Sequence, residues 1–123
     1  MTDQSDVRRI ALSLPETSVD PEGFAVRVNG RAFAWEWMER VDPKRARVPN
    51  SDVLAVRVEN ELEKQSLLAL DTDVFFTEPH YNGYPAVLVR LPAIDLELLD
   101  KVLTDAWRTK APRRLLNAFN AGG

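Results

Sequence analysis

FFTEPHYNGYPAVLVRL is the sequence of residues 75–91, and it contains the only histidine and both tyrosines of the chain. Its pattern predicts a short strand at 74–77, a turn at 79–85 built on Asn82-Gly83, and a second strand at 86–91. The second strand is apolar on both faces, which is typical of a central position in a sheet. The elements before and after this stretch are predicted to form the rest of that sheet and the helices that pack on it.

A hairpin is predicted between residues 24 and 38, around Asn29-Gly30. This dipeptide is the preferred centre of a two-residue type I′ turn, because both positions need a positive φ. The turn places Val28 opposite Arg31 and Val26 opposite Phe33, and opposed residues share a face. One face of the hairpin is then apolar and comprises Phe24, Val26, Val28, Phe33, Trp35 and Trp37. The other face is small and partly charged and comprises Ala25, Arg27, Ala32, Ala34 and Glu36.

Four helices and one further strand complete the pattern. The first helix is capped by Thr2 or Asp3 and the second begins at Asn60 or Glu59, while the third follows the N-cap Asp95. Pro112 begins the short last helix, since proline is favoured at the first helical position. With a strand at 53–58, the order is α-β-β-β-α-β-β-α-α. Five antiparallel strands with helices on one face predict an α+β two-layer sandwich, in a single domain spanning residues 1–123.

The composition excludes several kinds of protein. The 123 residues include no cysteine, so the sequence has no disulfides and no thiolate metal sites. No apolar run approaches the roughly 20 residues of a membrane span, and the first six residues are polar and acidic, unlike a signal peptide. We therefore expect a cytoplasmic protein without membrane contact. One core would use the apolar stripes of all the elements, so we also expect a monomer.

The charge of the chain is unevenly distributed. The formal net charge is −3, from 16 basic and 19 acidic residues, whereas nucleic-acid-binding proteins usually have a basic balance. Two basic clusters nevertheless occur, one at Arg40, Lys44, Arg45 and Arg47 and the other at Arg108, Lys110, Arg113 and Arg114. Solvated loops and helix ends account for both clusters, and a local basic face that binds an anion is the alternative.

Residues 77–91 resemble the signature of the MmcQ/YjbR family of small bacterial proteins, which are often labelled DNA-binding. The shared pattern is Thr-x-x-His-Tyr-x-Gly-Tyr-Pro-Ala-Val-Leu-Val-Arg-Leu, followed by Ala106-Trp107-Arg108 and Ala111-Pro112. Leu14-Pro15 and Phe33-Ala34 extend the match over almost the whole chain, whereas residues 40–51 have no counterpart. The resemblance implies a two-layer α/β domain, similar in shape to secretion-chaperone and frataxin-like folds, and DNA as a ligand.

His80 is the most obvious candidate for chemistry, but it stands alone. A metal site needs several converging ligands, and a catalytic triad needs a nucleophile and an orienting acid. The sequence shows neither arrangement, so we expect no catalytic residue, no metal, no cofactor and no enzymatic activity. A histidine of this kind most often holds a turn through a hydrogen bond, and ligand binding, followed by acid–base catalysis, is the alternative role.

Two binding functions follow from these residues. The first is DNA binding through a basic C-terminal face (Arg108, Lys110, Arg113, Arg114), with further contacts from the loop (Lys44, Arg45, Arg47). The second is a small-ligand or protein-interaction domain, whose site is either the alanine face of the hairpin or a groove (Thr77, His80, Tyr81, Tyr84, Arg90). Arg90 stands in an otherwise apolar strand, where it snorkels, pairs with a carboxylate or receives an anion.

Overall fold

The computed structural model describes residues 1–21 and 25–122. Its helices are α1 (Gln4–Leu12), α2 (Glu61–Leu70), α3 (Leu96–Lys110) and α4 (Arg113–Gly122). Its strands are β1 (Thr17–Val19), β2 (Ala25–Val28), β3 (Arg31–Glu39), β4 (Val48–Arg57), β5 (Phe75–Phe76) and β6 (Ala86–Arg90). Within these two ranges, none of the helices has the length and apolar character needed to cross a membrane.

The strands form one antiparallel sheet in the order β1-β2-β3-β4-β6-β5. The α+β class and the antiparallel sheet are confirmed, and β6 is an internal strand, as its two apolar faces indicate. The sheet has six strands rather than the five predicted. The additional strand, β1, was not predicted, because three residues are too few to show an alternating pattern.

The capping signals of the first three helices are confirmed, with Asp3 rather than Thr2 as the cap of α1. The last helix begins at Arg113, one residue after the predicted Pro112. The Asp3 carboxylate accepts hydrogen bonds from the backbone N–H groups of Ser5 and Asp6 and thereby caps α1. Asn60 caps α2 and Asp95 caps α3 in the same way, through one backbone N–H each. These caps depend on short-range geometry alone, which is why a sequence pattern is enough to locate them.

All four helices pack on one face of the sheet. The centre of this core contains Leu99, Leu103 and Trp107 of α3, which pack against fully buried residues of β4 and β6 such as Val56 and Val87. The Trp107 indole N–H donates to the carbonyl of Pro15 at 3.0 Å. The Trp107 side chain is completely buried in this core.

The predicted apolar face of the hairpin is partly wrong, because β3 contains a bulge. Asn29 and Gly30 have φ values of 51° and 78°, and Val28 pairs with Arg31 as the turn predicts. Beyond that pair the register shifts, and Val26 pairs with Ala34 instead of Phe33. An extra residue in one strand of a pair changes the direction in which the following side chains point.

The bulge divides the aromatic residues of β3 between the two faces of the sheet. Phe33 and Ala34 both lie in the helix-side core, whereas Trp35 and Trp37 pack on the opposite face. Ala34 was predicted on the outer face, and the two tryptophans were predicted on the same face as Phe33. The predicted pairing of Phe24 with Trp35 lies outside the described residues, and Trp35 pairs with Ala25.

Candidate functional site

The face of the sheet opposite the helices carries a groove of about 490 Å³, a volume typical of small-molecule sites. Its floor includes Ala25, Ala32 and Met38 of the hairpin. The side chains with aromatic rings that line it are Trp35, Trp37, His80, Tyr81 and Tyr84. The cationic side chains that line it are Arg27, Arg31, Arg47, Arg57 and Lys110. We call this site the open-face groove.

The aromatic side chains of the groove contact one another edge to face or at a tilt. The Trp35 indole N–H donates to the hydroxyl oxygen of Tyr81 at 3.3 Å. The Tyr84 ring lies 5.7 Å from the Tyr81 ring and 6.4 Å from the Trp35 ring, centre to centre. These are favourable arrangements for aromatic pairs. Tyr81 is buried, whereas Tyr84 is 41% exposed.

Lys64 of α2 holds the turn that carries the two tyrosines. Its side chain is buried, and its ammonium donates to the carbonyl oxygens of Tyr81 at 2.6 Å and Tyr84 at 2.8 Å. From the sequence we expected His80 to hold this turn through a hydrogen bond. His80 is instead exposed, and its ring centre lies 5.8 Å from that of Tyr81. Lys64 lies three and four residues before the half-buried Leu67 and Leu68. Residues at this spacing share a helix face, so the sequence indicates that Lys64 points inward.

The cationic side chains of the groove have few acidic partners. Only Arg27 among them forms an ion pair in the described part of the chain, with Asp20 at 2.9 Å. The guanidinium carbon of Arg57 lies 5.2 Å from the centre of the Tyr84 ring. The Arg57 Nε is buried and finds no hydrogen-bond acceptor within residues 1–21 and 25–122.

Repulsion between these cations is visible at Lys110, the last residue of α3. Burial lowers the pKa of the Lys110 ammonium, and the positive charges of Arg57 and Arg31 lower that pKa further. No acidic residue of the described ranges lines the groove. Since like charges held together without counter-charges favour a bound anion, the electrostatics of the groove suit a phosphate or carboxylate group.

The structure joins two sites that the sequence left as alternatives. His80, Tyr81 and Tyr84 line the same groove as Ala25 and Ala32 of the alanine face. Two other predicted groove residues lie elsewhere. Arg90 packs over the Phe76 ring at 4.0 Å and donates to the carbonyl of Thr72. Thr77 is half-buried, and its hydroxyl oxygen has no hydrogen-bond partner among the described residues.

The predicted C-terminal basic residues do not form one shared face, and only Arg108 and Lys110 line a common cleft. Arg108 packs over Phe119 and donates to the Asn120 side chain at 2.7 Å. Arg114 forms two hydrogen bonds with the Glu16 carboxylate, at 2.7 and 2.9 Å, and this contact lowers the pKa of Glu16. Arg113 is exposed at the start of α4. Of this cluster, only Lys110 enters the open-face groove.

The loop before β4 contributes one residue to the groove. The Arg47 guanidinium donates to the carbonyl of Met38 at 3.0 Å and lines the groove. Arg45 pairs with Asp42 at 3.7 Å, and Lys44 is exposed. Arg31 and Arg57, which the sequence did not single out as binding residues, complete the basic border. No sequence signal connects them, because they lie on different strands.

A second cleft, of about 690 Å³, lies on the other side of Arg57 and Lys110. Its charged lining residues are Arg57, Arg108 and Lys110 together with Glu59, Glu63 and Asp105. Three cations against three acids leave this cleft without net formal charge, so it attracts an anion less than the open-face groove does. The described residues contain no cluster of three or more side chains that could hold a metal ion.

Comparison with known proteins finds mycobacterial relatives. Uncharacterized protein Rv2570 of Mycobacterium tuberculosis (strain H37Rv) and Uncharacterized protein Mb2600 of Mycobacterium bovis are each 39% identical to this chain over 128 aligned positions. Each alignment covers 98% of the chain and 98% of the relative. No family model and no solved structure matches the chain.

Proposed function

This chain belongs to the family of the uncharacterised mycobacterial proteins Rv2570 and Mb2600, and we propose that it binds nucleic acid in its open-face groove without acting as an enzyme. The observation that supports this most is the composition of the groove. Cations and aromatic rings border it together, and no acid of the described residues does. Phosphates pair with such cations, and bases stack on such rings.

The resemblance of residues 77–91 to the MmcQ/YjbR family favours DNA as the ligand, and membership of that family is part of the proposal. The contact surface differs from the C-terminal face that the sequence suggested. Lys110 is retained, while Arg108 and Arg114 are engaged with Asn120 and Glu16. A cytoplasmic location, expected from the absence of cysteine, also belongs to the proposal.

Fluorescence anisotropy of labelled oligonucleotides across a salt series tests this function. Four groove cations have no acidic partner among the described residues: Arg31, Arg47, Arg57 and Lys110. If each neutralises one phosphate, the slope of log K against log salt is about −2.8 on a single strand and about −3.6 on a duplex. A slope near zero would contradict the proposal.

Two charge-matched double variants locate the contact surface. The combination of Arg31→Gln and Lys110→Gln removes two groove cations, and we expect it to weaken binding and to reduce the steepness of the salt slope by about 1.4 to 1.8. The combination of Lys44→Gln and Arg113→Gln changes the net charge equally but touches two exposed residues outside the groove. Equal losses of affinity in both variants would contradict binding in the groove.

A small anionic ligand is the second candidate, favoured by the confined volume of the groove and by its cationic lining. Thermal shift and calorimetry with nucleoside monophosphates and aromatic carboxylates test it. A saturable ligand whose binding is weakened by Lys110→Gln, in a protein that binds no oligonucleotide, would favour this candidate over nucleic acid.

A further inference from the structure

The most exposed aromatic side chains of the groove are at its rim. Tyr84 is 41% exposed and His80 is also exposed, whereas the neighbouring Tyr81 is buried. Rings in this position offer apolar surface to a planar partner. Bases in a duplex are already stacked on each other, so they cannot stack on side chains, whereas those of a single strand can.

Two cations of the groove, Arg57 and Lys110, are recessed rather than projecting. Arg57 is half-buried and its guanidinium carbon lies 5.2 Å from the centre of the Tyr84 ring. Lys110 is half-buried as well, and it lies close enough to Arg57 and Arg31 for their charges to lower its pKa. Phosphates on a rigid duplex reach projecting cations best, whereas a flexible strand can bring a phosphate and its base into a recess together.

The groove is also too small for a long stretch of nucleic acid. A volume of about 490 Å³ corresponds to the lower half of the range for small-molecule sites. Its dimensions suit one or two nucleotides, and the rest of a strand would lie along the outer face of the sheet.

From these three observations we infer that the open-face groove binds single-stranded DNA in preference to a duplex, with a base against Tyr84 and His80 and a phosphate at Arg57 and Lys110. This inference rests on the proposed nucleic-acid function and adds the form of the ligand. The rings distinguish strand from duplex, and the cations supply binding that depends on charge alone.

The test compares three labelled ligands of equal length: an oligothymidylate strand, a duplex, and an abasic strand that keeps the phosphates but lacks the bases. We expect the oligothymidylate to bind about tenfold more tightly than the abasic strand, which corresponds to one stacked base. We also expect it to bind more tightly than the duplex at the same salt concentration.

Two variants separate the base contact from the phosphate contact. Tyr84→Ala should weaken oligothymidylate binding about tenfold and leave abasic-strand binding unchanged. Lys110→Gln should weaken both ligands and reduce the steepness of the salt slope by about 0.7. Tyr84→Phe, which retains the ring, should restore binding. Thermal unfolding of each variant shows whether it is folded.

The outcomes distinguish this inference from the proposed function. Equal affinity for strand and duplex, with no effect of Tyr84→Ala but a loss with Lys110→Gln, would overturn the preference for a single strand and leave nucleic-acid binding in place. If thymidine monophosphate binds as tightly as the strand does, the ligand is a mononucleotide and the preference for a single strand is overturned. Absence of binding to all three oligonucleotides at low salt would overturn both.

Discussion

At the scale of single residues, Lys110 illustrates how a cation in the proposed binding groove can lower the stability of the fold. Its lowered pKa means that the charged ammonium is less favourable in the folded chain than in the unfolded one. We therefore expect Lys110→Met to raise the free energy of unfolding of the ligand-free protein, by about 0.5 kcal/mol once solvent screening is allowed for. Urea unfolding at neutral pH and low salt measures this change.

Lys101 provides the matched control on the same helix. Its ammonium forms an ion pair with Asp105 at 2.8 Å, which raises the pKa of Lys101. Lys101→Met should therefore leave stability unchanged or lower it slightly. If Lys110→Met lowers stability as well, burial and the neighbouring positive charges do not make the Lys110 ammonium unfavourable in the folded chain.

The pH dependence of Lys110→Met has a definite sign. Because the folded pKa of Lys110 is lowered, its destabilising effect is fully present below that folded pKa. The effect disappears as the pH rises through the unfolded pKa, since the ammonium is then neutral in both states. The difference in stability between Lys110→Met and the parent chain should accordingly shrink in alkaline solution. A gap that widens with pH would contradict this account.

Lys64 has the opposite effect, because it joins α2 to the turn beneath the groove. Lys64→Met leaves the carbonyls of Tyr81 and Tyr84 without their charged donor. Hydrogen bonds from charged groups contribute about 1.5 to 3 kcal/mol, so we expect a loss of about 2 to 3 kcal/mol in the free energy of unfolding. Gln65→Met, an exposed change on the same helix, is the control. Equal losses in the two variants would mean that the turn does not depend on Lys64.

At the scale of elements, the bulge in β3 determines which aromatic side chains reach the groove. Phe33 is completely buried on the helix side, whereas Trp35 is half-buried on the open side. We expect Phe33→Ala to lower the free energy of unfolding by about 3 to 5 kcal/mol and Trp35→Ala to lower it by about 1 to 2 kcal/mol. Only the second variant should lose nucleic-acid binding while it remains folded. Similar costs for both would indicate the uninterrupted register that the turn alone predicts.

The elements also show what could be predicted from the sequence and what could not. The Asn29-Gly30 turn and the caps at Asp3, Asn60 and Asp95 depend on neighbouring residues, so local patterns locate them correctly. The bulge depends on how two strands pair, and the sequence around Phe33 gives no local sign of it. The one extra residue that the bulge adds to β3 is the reason why the apolar face of the hairpin was assigned incorrectly.

The candidate site divides in the same way. His80, Tyr81 and Tyr84 were recognised because they are close together in the sequence. Arg57 and Lys110 come from β4 and α3, and only the folded chain brings them beside the tyrosines. A basic cluster in the sequence is therefore a poor guide here, since three of the four C-terminal cations lie outside the groove.

At the scale of the whole molecule, the net charge of −3 conceals a local positive field. Acidic residues are concentrated elsewhere, for example at Glu61 and Glu63 in the first turn of α2. A charged ligand responds to the potential of the nearby surface more than to the total charge, because salt screens distant charges within about 10 Å. An acidic protein can therefore present a basic groove.

The oligomeric state is the property of the whole molecule that the sheet itself constrains. The two edges of the sheet are β1, with three residues, and β5, with two. Such short edges offer few backbone hydrogen bonds to a second copy. The apolar faces of the helices are largely occupied by the single core, and the expected state is a monomer.

Light scattering across a concentration series measures this directly, and we expect a constant mass of 13.9 kDa. A mass of twice that value would contradict the expectation. The groove would then have to be compared between the two states, because a partner copy that covered Tyr84 would also block a base from it. Adding the single strand at saturating concentration separates these cases: a monomer binds it without a change in subunit number, whereas a dimer formed across the groove must dissociate as the strand binds.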